Sequence, residues 1–88
     1  MDSFQLRWRR SAAKELRQLP PEDVERVLAA VETLPKNPYP DGCVKLSGSQ
    51  RSFRIRVGRY RILYDIYEQI LIVEVVKVGH RKDIYRNQ

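Results

Sequence analysis

The chain has 88 residues, 42% apolar and 32% charged, enough for one small packed domain over residues 1–88 and too few for a second. The lone cysteine, Cys43, excludes an internal disulfide and fits a reducing cytoplasm; no stretch approaches the ~18 apolar residues of a membrane span, so neither secretion nor membrane insertion is expected. Lys and Arg outnumber Asp and Glu by 17 to 11, and the surplus lies wholly in the second half: residues 1–44 carry seven basic and seven acidic side chains, residues 45–88 ten and four.

In chain order, Phe4, Leu6 and Trp8 alternate with polar residues, the period-two pattern of a strand with one buried face. Ser11 is placed to cap a short helix whose Ala12, Leu16 and Leu19 face inward, and Pro20-Pro21 stops it. The same pair opens a second helix. Glu22, Asp23 and Glu25 put negative charge where the helix dipole favours it, and Val24, Val27, Leu28, Val31 and Leu34 recur at helical spacing. An antiparallel helix pair is expected. A stiff loop rich in proline, Pro35 to Gly42, then separates this half from a run of strands.

The expected strands are Val44 to Leu46, Ser52 to Val57, Tyr60 to Tyr67 and Ile70 to Val78. Gly58-Arg59 suits a two-residue type II′ hairpin turn, and Glu68-Gln69 a second tight turn. The first turn sets Val57 against Tyr60, Ile55 against Ile62 and Phe53 against Tyr64, giving an apolar face for the helices to cover. The second adds Leu71, Val73 and Val75 to that face and leaves Ile70, Ile72, Val76 and Val78 on the other. That apolar strip needs a cover, from the N-terminal strand, the C-terminal tail or a partner protein. The fold class is α+β: an N-terminal strand, a helix pair and an antiparallel meander, with the helices on one face of a twisted sheet.

The same register sets Arg56 opposite Arg61, with Arg54 two residues along its strand. Like charges so placed repel. Residues 45–64 hold no acid at all, and convergent guanidinium groups suit an external phosphate, which Arg grips bidentately while staying charged. In the rival reading, Asp65 and Glu74 on the same face neutralise the arginines internally. Beyond the last strand, His80, Arg81 and Tyr85 bring groups capable of proton transfer; Arg81 and Tyr85 share a face of a helical turn, and His80 joins the arginine face if strand parity persists. Such a set can cleave RNA. The 2′-hydroxyl must lose a proton and the 5′-oxygen gain one while the arginines balance the phosphorane. One histidine, one cysteine and no clustered carboxylates argue against a zinc or two-metal nuclease.

The string FRIRVGRYRILYDI at residues 53–66, followed by VGHRKDIYR at 78–86, resembles the RelE toxins of the RelE/ParE superfamily, and the order of elements agrees along essentially the whole chain. The resemblance implies a cytoplasmic toxin of a type II toxin–antitoxin system: a metal-independent endoribonuclease, or mRNA interferase, that cuts messenger in the ribosomal A site and inhibits translation. It implies no cofactor. It also implies a RelB-type antitoxin that reaches operator DNA, so that the toxin meets DNA only indirectly. By position, Arg54, Arg56 and Arg61 would hold RNA phosphate, Arg81 would support the transition state, and Tyr85 would stack on the base and move a proton. His80 is basic but variable in the family. Because Arg54 and Arg56 stand where some relatives have lysine, and Arg cannot shuttle a proton, Tyr85 or His80 is left as the base. The alternative is a ParE-like poison of DNA gyrase, which acts by binding without RNA cleavage.

Overall fold

The computed structural model describes residues 3–80. Its elements are β1 (Gln5–Trp8), α1 (Arg10–Arg17), α2 (Pro21–Val31), β2 (Val44–Lys45), β3 (Ser52–Val57), β4 (Tyr60–Tyr67) and β5 (Ile72–His80). The five strands form one sheet in the order β1-β5-β4-β3-β2; β1 joins β5 in parallel and the other neighbours are antiparallel. The helices pack on one face, as expected for the α+β class. Among the described residues no helix is long and apolar enough to cross a membrane.

The α1 boundary differs from expectation. The helix starts at Arg10 after Arg9, which has an extended backbone, and no side chain caps it. Ser11 therefore lies inside the first turn. The reason is strand pairing: the Arg9 N–H donates to the Val75 carbonyl at 2.9 Å, and its own carbonyl accepts from Ala13 N–H at 2.9 Å. One residue thus ends the ladder and opens the helix. In α2, Pro21 occupies the first turn with Glu22 and Asp23, where its missing N–H costs nothing and the acids meet the positive end of the dipole. α2 ends at Val31, but a tight turn, Leu34 N–H to Val31 C=O at 3.0 Å, carries Leu34 into the core.

That core is one cluster. Ala12 and Leu16 of α1, Val27 and Val31 of α2, and Leu34 meet Ile55, Tyr60, Ile62, Tyr64, Ile66, Val73, Val75 and Val78 of the sheet. Each fully buried Val, Leu or Ile there contributes roughly 1.5–3 kcal/mol. The expected β3–β4 register is present pair for pair, and Gly58 takes φ +59° while Arg59 does not have positive φ, the combination a type II′ turn requires.

The β4–β5 ladder departs from expectation in two ways. Its turn is longer than Glu68-Gln69: β5 begins at Ile72, and Leu71 sits exposed in the turn with a φ of +56° instead of joining the core face. Then the register slips. Tyr64 faces Val75 but Leu63 faces Lys77, so Val76 is an extra residue, a β-bulge. Beyond it every side chain changes face. Val78, expected on the second face, pairs with Ile62 and is buried in the core, and His80 pairs with Tyr60 instead of lying beside Arg61. The second-face apolar strip is correspondingly reduced: Ile72 is buried and Ile70 protrudes at the turn. The N-terminal strand does not cross that strip, because it extends the sheet edge beside β5.

β1 pairs only with residues 72–75. Where it ends, the Glu15 carboxylate of α1 accepts from the Val78 N–H at 2.9 Å and from Lys77 Nζ at 3.1 Å. A side chain thus continues the edge that the strand leaves unpaired.

Candidate functional site

The strand register brings three cations to one place. Arg56 on β3 lies opposite Arg61 on β4, and Arg54 follows two residues along β3, so all three share the face away from the helices. They line one groove of about 330 Å³ with Asp41, Gly42, Val44 and Ile55, at the small end of ligand clefts. Burial is graded. Arg61 is 3% exposed, Arg54 half-buried and Arg56 exposed. A groove with this cationic gradient presents charge at its mouth and a desolvated guanidinium deeper in, where attraction to an anion is stronger. The carboxylates of the rival reading are engaged otherwise: Asp65 accepts from Ser52 Oγ at 2.7 Å, and Glu74 pairs with Arg9 at 3.4 Å.

The proline-rich loop, which the sequence pattern marks only as a connection, contributes Asp41 and Gly42 to the groove wall. The Cys43 N–H donates to the Pro40 carbonyl at 3.1 Å, and Gly42 has φ +88°, a turn of type II geometry with Asp41 and Gly42 at its centre. The available signal was Pro40-Asp41-Gly42 itself, a turn sequence placed directly before a strand.

Aromatic side chains tie this loop to the sheet. Buried Tyr64 donates from its hydroxyl to the Pro38 carbonyl at 2.9 Å. Tyr39 hydrogen-bonds Glu68 and meets Phe53 edge-on at 5.3 Å, and Phe53 stacks with Tyr64 at 6.1 Å. The Glu68 carboxylate, more than burial, pushes the Tyr39 phenol up to about 12, because it stabilises the protonated form. Tyr64 is raised chiefly by burial.

His80 lies elsewhere. Its ring meets Tyr60 edge-on at 6.0 Å on the helix face, and Tyr60 donates to Asp23 Oδ2 at 2.9 Å, a bond that raises the Tyr60 phenol. Strand parity would have set His80 beside Arg61; the bulge at Val76 reverses it, and His80 does not line the groove. Arg81 and Tyr85 lie outside the described residues. Among the described residues, Arg54, Arg56 and Arg61 are therefore the candidates that the fold brings together.

Residues 6–85 match the family model described as the ParE toxin of the type II toxin–antitoxin system parDE. Toxin RelG of Mycobacterium tuberculosis is 34% identical over 88 residues, covering 94% of this chain and 97% of that protein. A putative toxin of Methanocaldococcus jannaschii, RelE1, is 29% identical over 87 residues, covering 96% and 97%. Among solved structures, the RelBE2 toxin–antitoxin complex of M. tuberculosis contains a chain superposing with a TM-score of 0.79 at 27% identity, over 90% of this chain and 99% of that one.

Proposed function

The chain belongs to the RelE family of type II toxin–antitoxin toxins, within the RelE/ParE superfamily, and on that premise we propose that it is a metal-independent endoribonuclease that cuts messenger RNA in the ribosomal A site. The observation that carries the proposal is the groove holding Arg54, Arg56 and Arg61 on one sheet face. In the proposed reaction the 2′-oxygen attacks the adjacent phosphorus, loses its proton to a base, and displaces the 5′-oxygen, which leaves with a proton. The products are a 2′,3′-cyclic phosphate and a 5′-hydroxyl. Arg61, little hydrated, balances the charge that builds on the phosphorane oxygens, while Arg54 and Arg56 hold flanking phosphate.

Arg81 would support the transition state, and Tyr85 would stack on the base and exchange protons. Between the candidate bases, Tyr85 is preferred to His80, whose ring is turned towards Tyr60. The setting of such a reaction is the cytoplasm, with ribosome and messenger as partners. A RelB-type antitoxin would neutralise the toxin and carry any contact with operator DNA; complexes of RelB with RelE are among the structural neighbours. A gyrase poison is the less favoured reading, because the similar toxins are RelE1 and RelG.

The test is translation of a defined messenger in vitro with wild-type protein and with Tyr85→Phe, mapping 5′ ends by primer extension, with gyrase-dependent DNA cleavage assayed in parallel. Ribosome-dependent cuts at A-site codons that vanish in the variant are expected. Intact messenger together with trapped gyrase breaks would refute the nuclease reading.

A further inference from the structure

Beyond Val75 the outer edge of β5 passes from a strand to a side chain. β1 pairs with residues 72–75, and the Arg9 carbonyl, which a continuing strand would turn towards β5, accepts instead from the Ala13 N–H at 2.9 Å and opens α1. From that helix the Glu15 carboxylate reaches back. One oxygen accepts from the Val78 N–H at 2.9 Å and the other from Lys77 Nζ at 3.1 Å. Both partners follow the bulge at Val76, so the carboxylate holds the strand where its register has just shifted.

Two registers compete for this stretch. In the observed one Lys77 faces Leu63, and Val78 faces Ile62 in the core. Without the extra residue Lys77 would face Ile62, which is fully buried, and would carry its ammonium group into the core at high cost. A slip of one residue reverses every side chain that follows and turns the Val78 N–H to the other edge of the strand. Glu15 therefore meets Lys77 and Val78 together in the bulged register. That register sets Gly79 opposite Arg61, on the face of the arginine groove, and Arg81 follows Gly79 by two residues in the chain.

We propose that Glu15 is a positioning residue for RNA cleavage: by holding the bulged register it fixes the sheet face from which Arg81 and Tyr85 are delivered to the phosphate. The inference rests on the RNA-cleaving reading of the groove and adds a residue that lies outside the groove and touches no substrate. Arg54, Arg56 and Arg61 belong to the β3–β4 hairpin, whose register does not involve Glu15. Loss of the carboxylate should therefore spare RNA binding and slow the chemical step.

The test compares Glu15→Ala, which removes the acceptor, with Glu15→Gln, whose amide oxygen still accepts from the Val78 N–H. Single-turnover cleavage of a defined messenger on programmed ribosomes, followed over a range of toxin concentrations, separates kcat from KM. Glu15→Ala should lose about 100-fold in kcat, the scale of a small displacement of a catalytic group. Its KM should stay within about twofold of wild type, and Glu15→Gln should recover most of the rate. Amide exchange on the same proteins should quicken at Val78 and its neighbours in Glu15→Ala, while the β3–β4 hairpin stays as protected as in wild type, which also reports that the variant is folded. An unchanged kcat would overturn the inference, as would a loss carried by KM or a Gln variant as slow as the Ala variant. Should wild type leave messenger intact, the cleavage reading fails and the amide shifts of residues 79–85 decide alone: displacement in Glu15→Ala upholds the hold of Glu15 on that segment, and unchanged shifts overturn it.

Discussion

Replacing Arg56 by Gln should make the domain more stable and a worse ligand for RNA. Arg56 faces Arg61 across the β3–β4 ladder, where opposed Cβ atoms lie about 5 Å apart. With guanidinium centres about 7 Å apart, Coulomb repulsion is about 2.4 kcal/mol at an effective dielectric constant of about 20 and about 0.6 kcal/mol in water. Arg56 is exposed, so the value lies near the lower figure, roughly 0.5–1 kcal/mol, in keeping with the cost of like charges directly opposed in a sheet. For a domain of this size that is a rise in Tm of about 2–6 °C. Urea or thermal unfolding of both proteins at low and high salt measures it, and the gain should largely vanish at about 1 M salt, where the screening length is about 3 Å. Binding of a short single-stranded RNA should weaken, with the slope of log K against log salt shallower by about 0.7 for the one lost phosphate contact. A variant that is less stable at low salt would show that Arg56 is held by the protein itself, and an unchanged salt slope would show that it does not touch phosphate. Either result refutes the view of this groove as a surface strained by its own charge and relieved by an anion.

Two further perturbations probe the loop that forms the groove wall. Tyr64→Phe leaves the Pro38 carbonyl without its buried donor, so stability should fall by about 1–2 kcal/mol in urea unfolding, and exchange of the Cys43 amide should accelerate; unchanged stability and exchange would mean that the hydroxyl does not anchor the loop. Tyr39 tests the same wall through pH. Its phenol is raised in the folded state from 10 to about 12, so the proton is held more tightly folded than unfolded, and the stabilisation is complete below about pH 10 and lost as pH climbs towards about 12. Unfolding curves across that window should show wild type losing more stability than Tyr39→Phe, and parallel losses would refute the Tyr39 to Glu68 bond.

Most of the fold was legible because two signals agreed. Alternation places Phe53, Ile55, Ile62 and Tyr64 on one face, and Gly58-Arg59 sets which residues oppose one another, so the approach of Arg56 to Arg61 follows from the sequence pattern alone. β5 was less legible for a physical reason. Val73, Val75, Val76 and Val78 are apolar and β-branched on both parities, so nothing in their chemistry marks Val76 as the residue left out of the ladder. That single insertion decides where His80 and Val78 face. The α1 start is not legible in the local sequence, because a hydrogen bond from Arg9 to Val75, remote in sequence, outweighs the capping preference of Ser11. The place of Asp41 at the groove is not legible either, because it comes from β2 folding back beside β3, and a turn sequence does not show what the turn faces.

The parallel pairing of β1 with β5 joins Gln5 to Ile72, so the strand made first must wait for the strand made last. β5 lies between β1 and β4 in the sheet, and the core needs Val73, Val75 and Val78 to close over the helices. The β3–β4 hairpin can form early, since its partners are neighbours in the chain, whereas closing the long loop between β1 and β5 carries an entropy cost that local contacts cannot offset. During synthesis the arginines can therefore come together before the platform beneath them is solid. A growing chain holds the pieces of the groove, but not a rigid groove, until residues near 80 are free to pair.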